Sequence, residues 1–240
     1  NDRVYPQMAD FTFYGGLYRD VNIISVPKAH FDLEYYGAPG VMATPHVEGS
    51  IDVKVFVKDQ GDESIIYTLL DKENNVVTSL ETKATEVSLE VKEPHLWNGR
   101  KDPYLYTLRC SLTGGDEITT RVGFRAFEID PERGFILNGE EYPLRGVSRH
   151  QDRWGKGNAI SREDHEEDMA LIMEVGATTI RLAHYQHDQY FYDLCDENGL
   201  VIWAEIPYIS SHLESSNDNA ISQMKELIYQ NYNHPSHPGV

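Results

Sequence analysis

The chain has 240 residues, of which 39 are acidic and 21 are Lys or Arg, so its formal net charge is −18. An acidic chain repels phosphate groups, which argues against nucleic acid as a partner. No apolar run reaches the ~18 residues of a membrane helix, so we expect no membrane partner. Residues 1–10 also lack the apolar segment of a signal peptide. The two cysteines, Cys110 and Cys195, lie in unlike contexts, which favours a reducing, cytoplasmic compartment over a disulfide framework.

Residues 1–44 form the first zone, in which aromatic and β-branched residues dominate. Val21, Ile23 and Val26 alternate in the manner of a strand. The zone is too short for a β-domain of its own. We therefore expect it to be the last part of a larger β-domain.

Residues 45–130 form the second zone, which alternates with a period of two. Ile51, Val53 and Val55 share one face, with Asp52 and Lys54 opposite. Turn residues separate several such runs. Six or seven short strands with frequent turns favour an antiparallel, immunoglobulin-like β-sandwich.

Residues 131–240 form the third zone, where strand and helix patterns alternate. Ser161 begins a helix, with Asp164 as its capping-box partner. Such alternation predicts parallel strands joined by right-handed crossovers. The expected strands cover residues 142–149, 178–183 and 200–206, and the expected helices cover 161–175, 189–197 and 220–232.

Polar residues follow each of these three strands, at the ends where parallel β/α structures collect their chemistry. Imidazole, guanidinium and carboxylate groups bind hydroxyl-rich ligands well. We expect two arginines, two histidines and a glutamate to converge at one mouth: Arg149, Arg181, His150, His184 and Glu205. Asp152, which also follows the first of these strands, is a further candidate for binding the substrate.

Each of these residues also has a structural interpretation. A histidine at a strand end is often a satisfied structural residue. Glu205 is costly to bury alone, so we expect it to pair with Arg181 or a histidine, and a purely structural ion pair stays an alternative. A metallohydrolase is the weakest hypothesis. The pairs His184/His187 and His234/His237 lack the cysteine or helical His/Glu context of a zinc site, so we assign no metal ligand.

Several sequence stretches resemble glycoside hydrolase family 2: GLYRDV at 16–21, PHLW at 94–97, VGFR at 122–125, RGVSRH at 145–150 and RLAHY at 181–185. The resemblance implies a multidomain β and α/β fold. Residues 1–44 would be the C-terminal tail of a sugar-binding jelly-roll domain, and 45–130 an immunoglobulin-like β-sandwich. Residues 131–240 would be the N-terminal part of a TIM-barrel catalytic domain, a partial (β/α)8 barrel of about three β/α units.

Within the family, RLAHY and WAEIP (203–207) are most similar to bacterial β-galactosidases. β-Glucuronidases usually carry Thr-Ser before the His-Tyr pair, which this sequence lacks. The resemblance thus implies a retaining glycosidase acting on a terminal β-D-galactoside. A family 2 β-glucuronidase fragment and a carbohydrate-binding or interaction module remain alternatives.

The resemblance also implies roles for the strand-end residues. His150 and His184 would hydrogen-bond sugar hydroxyls, Arg181 would help to keep the nucleophile ionised, and Glu205 would face the same mouth. Two Mg²⁺ ligands of the best-known β-galactosidases correspond to Ile209 and Ser211 here. No cofactor is therefore assigned, and Mg²⁺ or Na⁺ stays open for a full-length parent.

The resemblance places both catalytic glutamates after the Asn-His-Pro-Ser stretch at 233–236. We therefore expect these 240 residues to be a fragment that is inactive alone. The apolar strand at 200–206 would be an exposed edge, and such edges pair with other chains. We accordingly expect a homo-oligomer formed through this edge.

Overall fold

The computed structural model describes Ala9 and residues 11–238. The signal-peptide expectation depends on residues 1–10, and all of these except Ala9 lie outside the described residues. The described residues form these strands and helices: β1 His30–Phe31, β2 Val41–His46, β3 Ser50–Val55, β4 Val57–Lys58, β5 Ile65–Leu70, β6 Val76–Thr82, β7 Glu86–Glu90, β8 Tyr106–Leu112, β9 Glu117–Val122, β10 Phe127–Asp130, β11 Gly134–Leu137, β12 Glu140–Glu141, β13 Gly146–Arg149, α1 Arg162–Glu174, β14 Thr179–Leu182, α2 Gln189–Asn198, β15 Val201–Ala204 and α3 Asn217–Gln230.

The second zone folds as the expected sandwich of two antiparallel sheets. One sheet has the order β2-β3-β7 and the other the order β6-β5-β8-β9. The period of two places Ile51, Val53 and Val55 in the core and leaves Asp52 and Lys54 exposed. The expected boundary between residues 44 and 45 cuts through β2, which pairs with β3 over its full length. The first sheet therefore begins at Val41.

The strand predicted around Val21, Ile23 and Val26 is wrong. Residues 20–27 have no regular secondary structure, and Ile23 is fully exposed. A strand needs a neighbour for its backbone hydrogen bonds, and no other described strand pairs with this segment.

A small sheet of order β10-β11-β12 follows the sandwich. Its first hairpin pairs Phe127 with Leu137 and Asp130 with Gly134. The expected boundary between residues 130 and 131 lies inside this hairpin, so the two zones meet in a paired element and not in a free linker.

The third zone contains the expected parallel sheet, with β14 between β13 and β15. Ile180 and Leu182 are fully buried against α1 and α2 on one face. Register places Ser148, Arg181 and Trp203 in one row on the other face, which is open. The capping box is confirmed, since the Ser161 backbone N–H donates to Asp164 at 2.8 Å.

The edge of β15 is not entirely free. The Ile202 backbone N–H donates to the Ser236 carbonyl oxygen at 2.8 Å, so the chain after α3 returns to this edge. The predicted unpaired edge is wrong at this point. Along α3, Leu227 is buried whereas Ile221 and Met224 are exposed.

The sandwich and the parallel sheet are joined by buried polar contacts. The Trp97 indole donates to the Asp196 carbonyl oxygen at 2.9 Å. The Arg125 guanidinium donates to the carbonyl oxygens of Pro235 and His237 at 2.9 and 3.0 Å. These contacts hold the sandwich closely against the β/α portion of the chain.

Both cysteines are free thiols, as expected from their unlike sequence contexts, and both are buried. Across the described residues, no helix is long and apolar enough to cross a membrane. The expected cytoplasmic location remains a prediction.

Candidate active-site region

Three side chains meet where β14 and β15 end. Arg181 lies on β14, His184 follows that strand, and Glu205 follows β15. The Arg181 Nε donates to Glu205 Oε1, and its Nη2 lies 3.2 Å from Glu205 Oε2. His184 Nδ1 lies 2.9 Å from the same Oε2. The expectation that Glu205 would pair with Arg181 or a histidine is confirmed, because it contacts both.

The proton on the His184 ring decides which contacts form together. Nδ1 also lies 3.0 Å from Arg181 Nη2, but one nitrogen cannot donate to Glu205 and accept from Arg181 at once. The bond to the carboxylate is charge-assisted, so we assign the proton to Nδ1. This assignment leaves Nε2 of His184 as an acceptor for a ligand hydroxyl.

The charge of Glu205 follows from the same contacts. Partial burial raises the pKa of the carboxyl, but the hydrogen bonds from Arg181 and His184 lower it by more. The net result is a pKa below the ordinary glutamate value. Glu205 is therefore an ionised hydrogen-bond acceptor at neutral pH, and its side chain remains 18% exposed.

His150 joins this cluster through ring contacts. Its ring centroid lies 5.2 Å from that of His184. Phe11 lies over both histidines, with centroid distances of 4.9 Å to His150 and 5.6 Å to His184. Sequence analysis missed Phe11, since only tertiary folding brings it to the strand ends.

The segment that carries Phe11 crosses two of the loops that follow the strands. Arg19 Nη2 donates to the Gln186 carbonyl oxygen at 2.8 Å. The Tyr14 ring lies so close to Gly157 that a β-carbon there would be 2.8 Å from it. An aromatic segment of the first zone therefore forms one wall of the candidate site.

The prediction that Arg149 faces the mouth is wrong. Strand alternation directs its side chain to the covered face, where it pairs with Asp168 at 2.7 Å and lies over the Phe191 ring. Arg149 is 6% exposed. It is a buried structural cation and not a ligand-binding group.

Asp152 lies at the exposed rim. Burial raises the pKa of the Tyr185 hydroxyl, and the negative charge of Asp152 raises it further. The structure therefore places Asp152 beside the cluster of Arg181, His184 and Glu205 and not within it.

The members of the pair His184/His187 have different partners. His184 contacts Arg181 and Glu205, whereas His187 is completely buried and contacts Arg149 and the Ala183 carbonyl oxygen. Near His234, ligand atoms of Asp193, Asp196 and His234 lie within 4.8 Å of one another. The Asp196 carboxylate, however, already accepts hydrogen bonds from His234 Nδ1 at 2.6 Å and from the Ser236 backbone at 3.1 Å. This second cluster is therefore a joint between α2 and the segment after α3.

A β-sandwich followed by parallel strands that alternate with helices, with polar side chains at the strand ends, is typical of multidomain proteins that carry a β/α barrel. Two family models match most of the chain. "Glycosyl hydrolases family 2" matches residues 41–125, and "Glycosyl hydrolases family 2, TIM barrel domain" matches residues 128–237. The chain belongs to glycoside hydrolase family 2, as the sequence resemblance indicated.

Named relatives include both β-glucuronidases and β-galactosidases. A β-glucuronidase of Bacteroides fragilis is 37% identical over 97% of this chain and 38% of its own length. The crystal structure of an FMN-binding β-glucuronidase from Faecalibacterium prausnitzii L2-6 is 48% identical. The match to this structure has a TM-score of 0.94 and covers 99% of this chain and 39% of the other protein's chain. A β-galactosidase of Thermoanaerobacter pseudethanolicus is 29% identical over 95% of this chain and 32% of its own length.

The chain spans less than two fifths of the length of these relatives. Of these three proteins, the two named β-glucuronidase have the higher identities, although the crystal structure of a putative β-galactosidase from Bacteroides fragilis is also 40% identical over 88% of this chain. The comparisons thus favour the β-glucuronidase alternative over the β-galactosidase prediction.

Proposed function

We propose that this chain forms part of the sugar subsite of a family 2 β-glucuronidase. The observation that carries the proposal is the cluster of Arg181, His184 and Glu205 at the strand ends, with His150 beside it. It combines an ionised carboxylate with imidazole nitrogens in a partly exposed position. Such groups can accept hydrogen bonds from sugar hydroxyls and can also donate hydrogen bonds to them.

The substrate class follows from the relatives. Proteins named β-glucuronidase share 37% and 48% identity with nearly the whole chain. The lack of Thr-Ser before the His-Tyr pair favoured a galactoside. We give these two positions less weight than the similarity to β-glucuronidases over nearly the whole of this chain. We accordingly propose a terminal β-glucuronide as the substrate of the whole protein.

Within this function, Glu205 would bind substrate and would not transfer protons. A retaining glycosidase needs two carboxyl groups ~5–5.5 Å apart, one of them an acid with a raised pKa. Glu205 has a lowered pKa because Arg181 and His184 hold its charge. We therefore propose that these residues position the sugar and that the 240-residue chain alone does not hydrolyse it.

The test compares hydrolysis of an aryl β-glucuronide and an aryl β-galactoside by this chain and by the whole protein. We expect the whole protein to prefer the glucuronide and the 240-residue chain to release no aryl group above buffer. A whole protein that prefers the galactoside would contradict the substrate assignment. Turnover by the chain that is lost in Glu205→Gln would contradict the binding role of Glu205.

We also propose that the chain self-associates through the open face of its parallel sheet. Trp203 is 66% exposed there, and only part of the β15 edge is covered by Ser236. Exposed apolar side chains beside a strand edge favour association with another chain.

A further inference from the structure

His187 is a buried histidine that the proposed subsite leaves without a role. It lies three residues after His184, and its side chain is completely buried. Its Nδ1 lies 3.2 Å from Arg149 Nη1, and its Nε2 lies 3.0 Å from the Ala183 carbonyl oxygen. The Ala183–His184 peptide bond is cis. His187 therefore contacts the peptide group that leads directly into His184.

These two contacts define the tautomer of His187. Arginine can only donate, so Nδ1 must be the acceptor. The proton is then on Nε2, where it can be donated to the Ala183 carbonyl oxygen. Burial lowers the pKa of His187 to about 3, so the ring is neutral at physiological pH, as this arrangement requires.

Arg149 closes a ring of hydrogen bonds around Ala183. The Ala183 N–H donates to the Arg149 carbonyl oxygen at 3.0 Å. The Ala183 carbonyl accepts from His187, and His187 accepts from the Arg149 side chain. The Ala183 N–H is therefore held directly by the end of β13, and the Ala183 carbonyl is held through His187.

Arg149 is itself fixed from the other side. Its Nε and Nη2 both donate to Asp168 Oδ2, at 2.9 and 2.7 Å, and its guanidinium lies 4.0 Å from the centre of the Phe191 ring. A buried cation with these partners has little freedom to move. The chain of contacts thus runs from α1 to the peptide that precedes His184.

We propose that His187 is a positioning residue, which holds the Ala183 carbonyl and thereby orients the His184 ring against Glu205. A planar peptide group passes the orientation of this carbonyl to the backbone of His184. Only His184 would then touch the sugar. The consequence for ligand binding rests on the proposed function, whereas the geometry does not.

Two substitutions separate the two bonds that His187 makes. In His187→Gln, the amide nitrogen can take the place of Nε2 and donate to Ala183. In His187→Asn, the amide oxygen can take the place of Nδ1 and accept from Arg149. A purely structural role, in which His187 only satisfies Arg149, would be preserved by Asn. The positioning role would be preserved by Gln.

The experiment records long-range ¹H–¹⁵N spectra of the 240-residue chain with ¹⁵N-labelled histidine, with Glu205→Ala as the reference for a lost His184–Glu205 bond. We expect the Nε2–H tautomer at His187 in the unmodified chain. We expect His184 signals near their original positions in His187→Gln, and signals displaced toward those of Glu205→Ala in His187→Asn. An Nδ1–H tautomer at His187, or unmoved His184 signals in His187→Asn, would overturn the proposal.

A binding measurement with methyl β-D-glucuronide adds a second readout. Loss of one hydrogen bond of this kind is worth about 1 kcal/mol, so we expect affinity to fall about five- to tenfold in His187→Asn and to recover in His187→Gln. An affinity unchanged in His187→Asn would overturn the positioning role. If the unmodified chain binds no glucuronide, the proposed function fails, and the tautomer and the His184 signals still decide the geometry.

Discussion

The Trp97 indole N–H donates to the backbone carbonyl oxygen of Asp196 at 2.9 Å, joining the sandwich to the second helix of the barrel portion. Trp97 is 1% exposed. The Asp196 side chain, in turn, binds His234 and Ser236 in the segment that follows α3. One residue of α2 therefore links the sandwich to the chain that returns to β15.

Replacing Trp97 by Phe keeps an aromatic ring but leaves the buried Asp196 carbonyl without its donor. An unsatisfied buried group costs about 1–3 kcal/mol, so we expect the free energy of unfolding to fall by that amount. Urea unfolding measures it. The control is Trp154→Phe, because Trp154 is fully exposed and should change stability by less than about 0.5 kcal/mol. Equal stability of the two variants would refute this account of the joint.

Gly199 and Gly176 both follow helices with positive φ, 71° and 77°, but their surroundings differ. A β-carbon on Gly199 would lie 2.2 Å from the Gly99 carbonyl oxygen, whereas one on Gly176 would meet no atom within 4 Å. We expect Gly176→Ala to cost about 1–2 kcal/mol from the backbone conformation alone. Gly199→Ala should cost about 1–3 kcal/mol more, because the backbone must also move. Thermal unfolding of both variants tests this difference, and equal losses would contradict it.

The ion pair of His234 with Asp196 should make stability depend on pH. Burial lowers the pKa of His234, but the charge of Asp196 and its hydrogen bond raise it by more, so the net pKa is above the ordinary value. Because the folded state holds this proton more tightly, the stabilisation is fully present below about pH 6.5, the unfolded histidine pKa. It is lost as the pH rises through the raised value.

The measurement is urea unfolding of the unmodified chain and of His234→Gln at several pH values above 6.5. We expect the difference in stability between them to shrink as the pH rises. His187 and His237 have pKa values lowered to about 3 and 4, so they are neutral in the folded chain throughout this range. A difference that stays constant with pH would show that His234 carries no charge in the folded chain.

The open face of the parallel sheet should mediate self-association. We expect sedimentation velocity to show a species larger than the monomer at micromolar concentration. Trp203→Glu should shift it toward the monomer, because it places a charge on the exposed face. Trp154→Glu is the matched control, since it changes an equally large exposed indole on a loop. A monomer in the unmodified chain, or equal effects of both variants, would exclude this surface.

Local patterns predicted much of the fold. The period of two at Ile51, Val53 and Val55 was sufficient to identify a sandwich strand, and the Ser161/Asp164 capping box fixed the start of α1. Val21 and Ile23 have the same pattern without a strand, because a strand also needs a partner. Periodicity describes a segment alone and cannot supply that partner.

The candidate site was predictable only in part. The rule that chemistry lies at strand ends selected His150, His184, Arg181 and Glu205, which the structure brings together. The same rule misplaced Arg149, because a shift of one residue along a strand moves a side chain to the opposite face. Phe11 could not be found, since its contact with His184 spans more than 170 residues.

The central claim is that the strand-end cluster binds a sugar and is more than a structural ion pair. Titration of the ¹⁵N-histidine chain with methyl β-D-glucuronide tests it, with Glu205→Gln as the variant and Glu174→Gln, at an exposed helix end, as its control. We predict that the ring signals of His150 and His184 move with ligand in the unmodified chain and in Glu174→Gln. We also predict that Glu205→Gln binds about tenfold more weakly, because a charge-assisted hydrogen bond to the sugar becomes a neutral one. Signals that do not move, or equal affinity in Glu205→Gln, would contradict a sugar-binding role for this cluster.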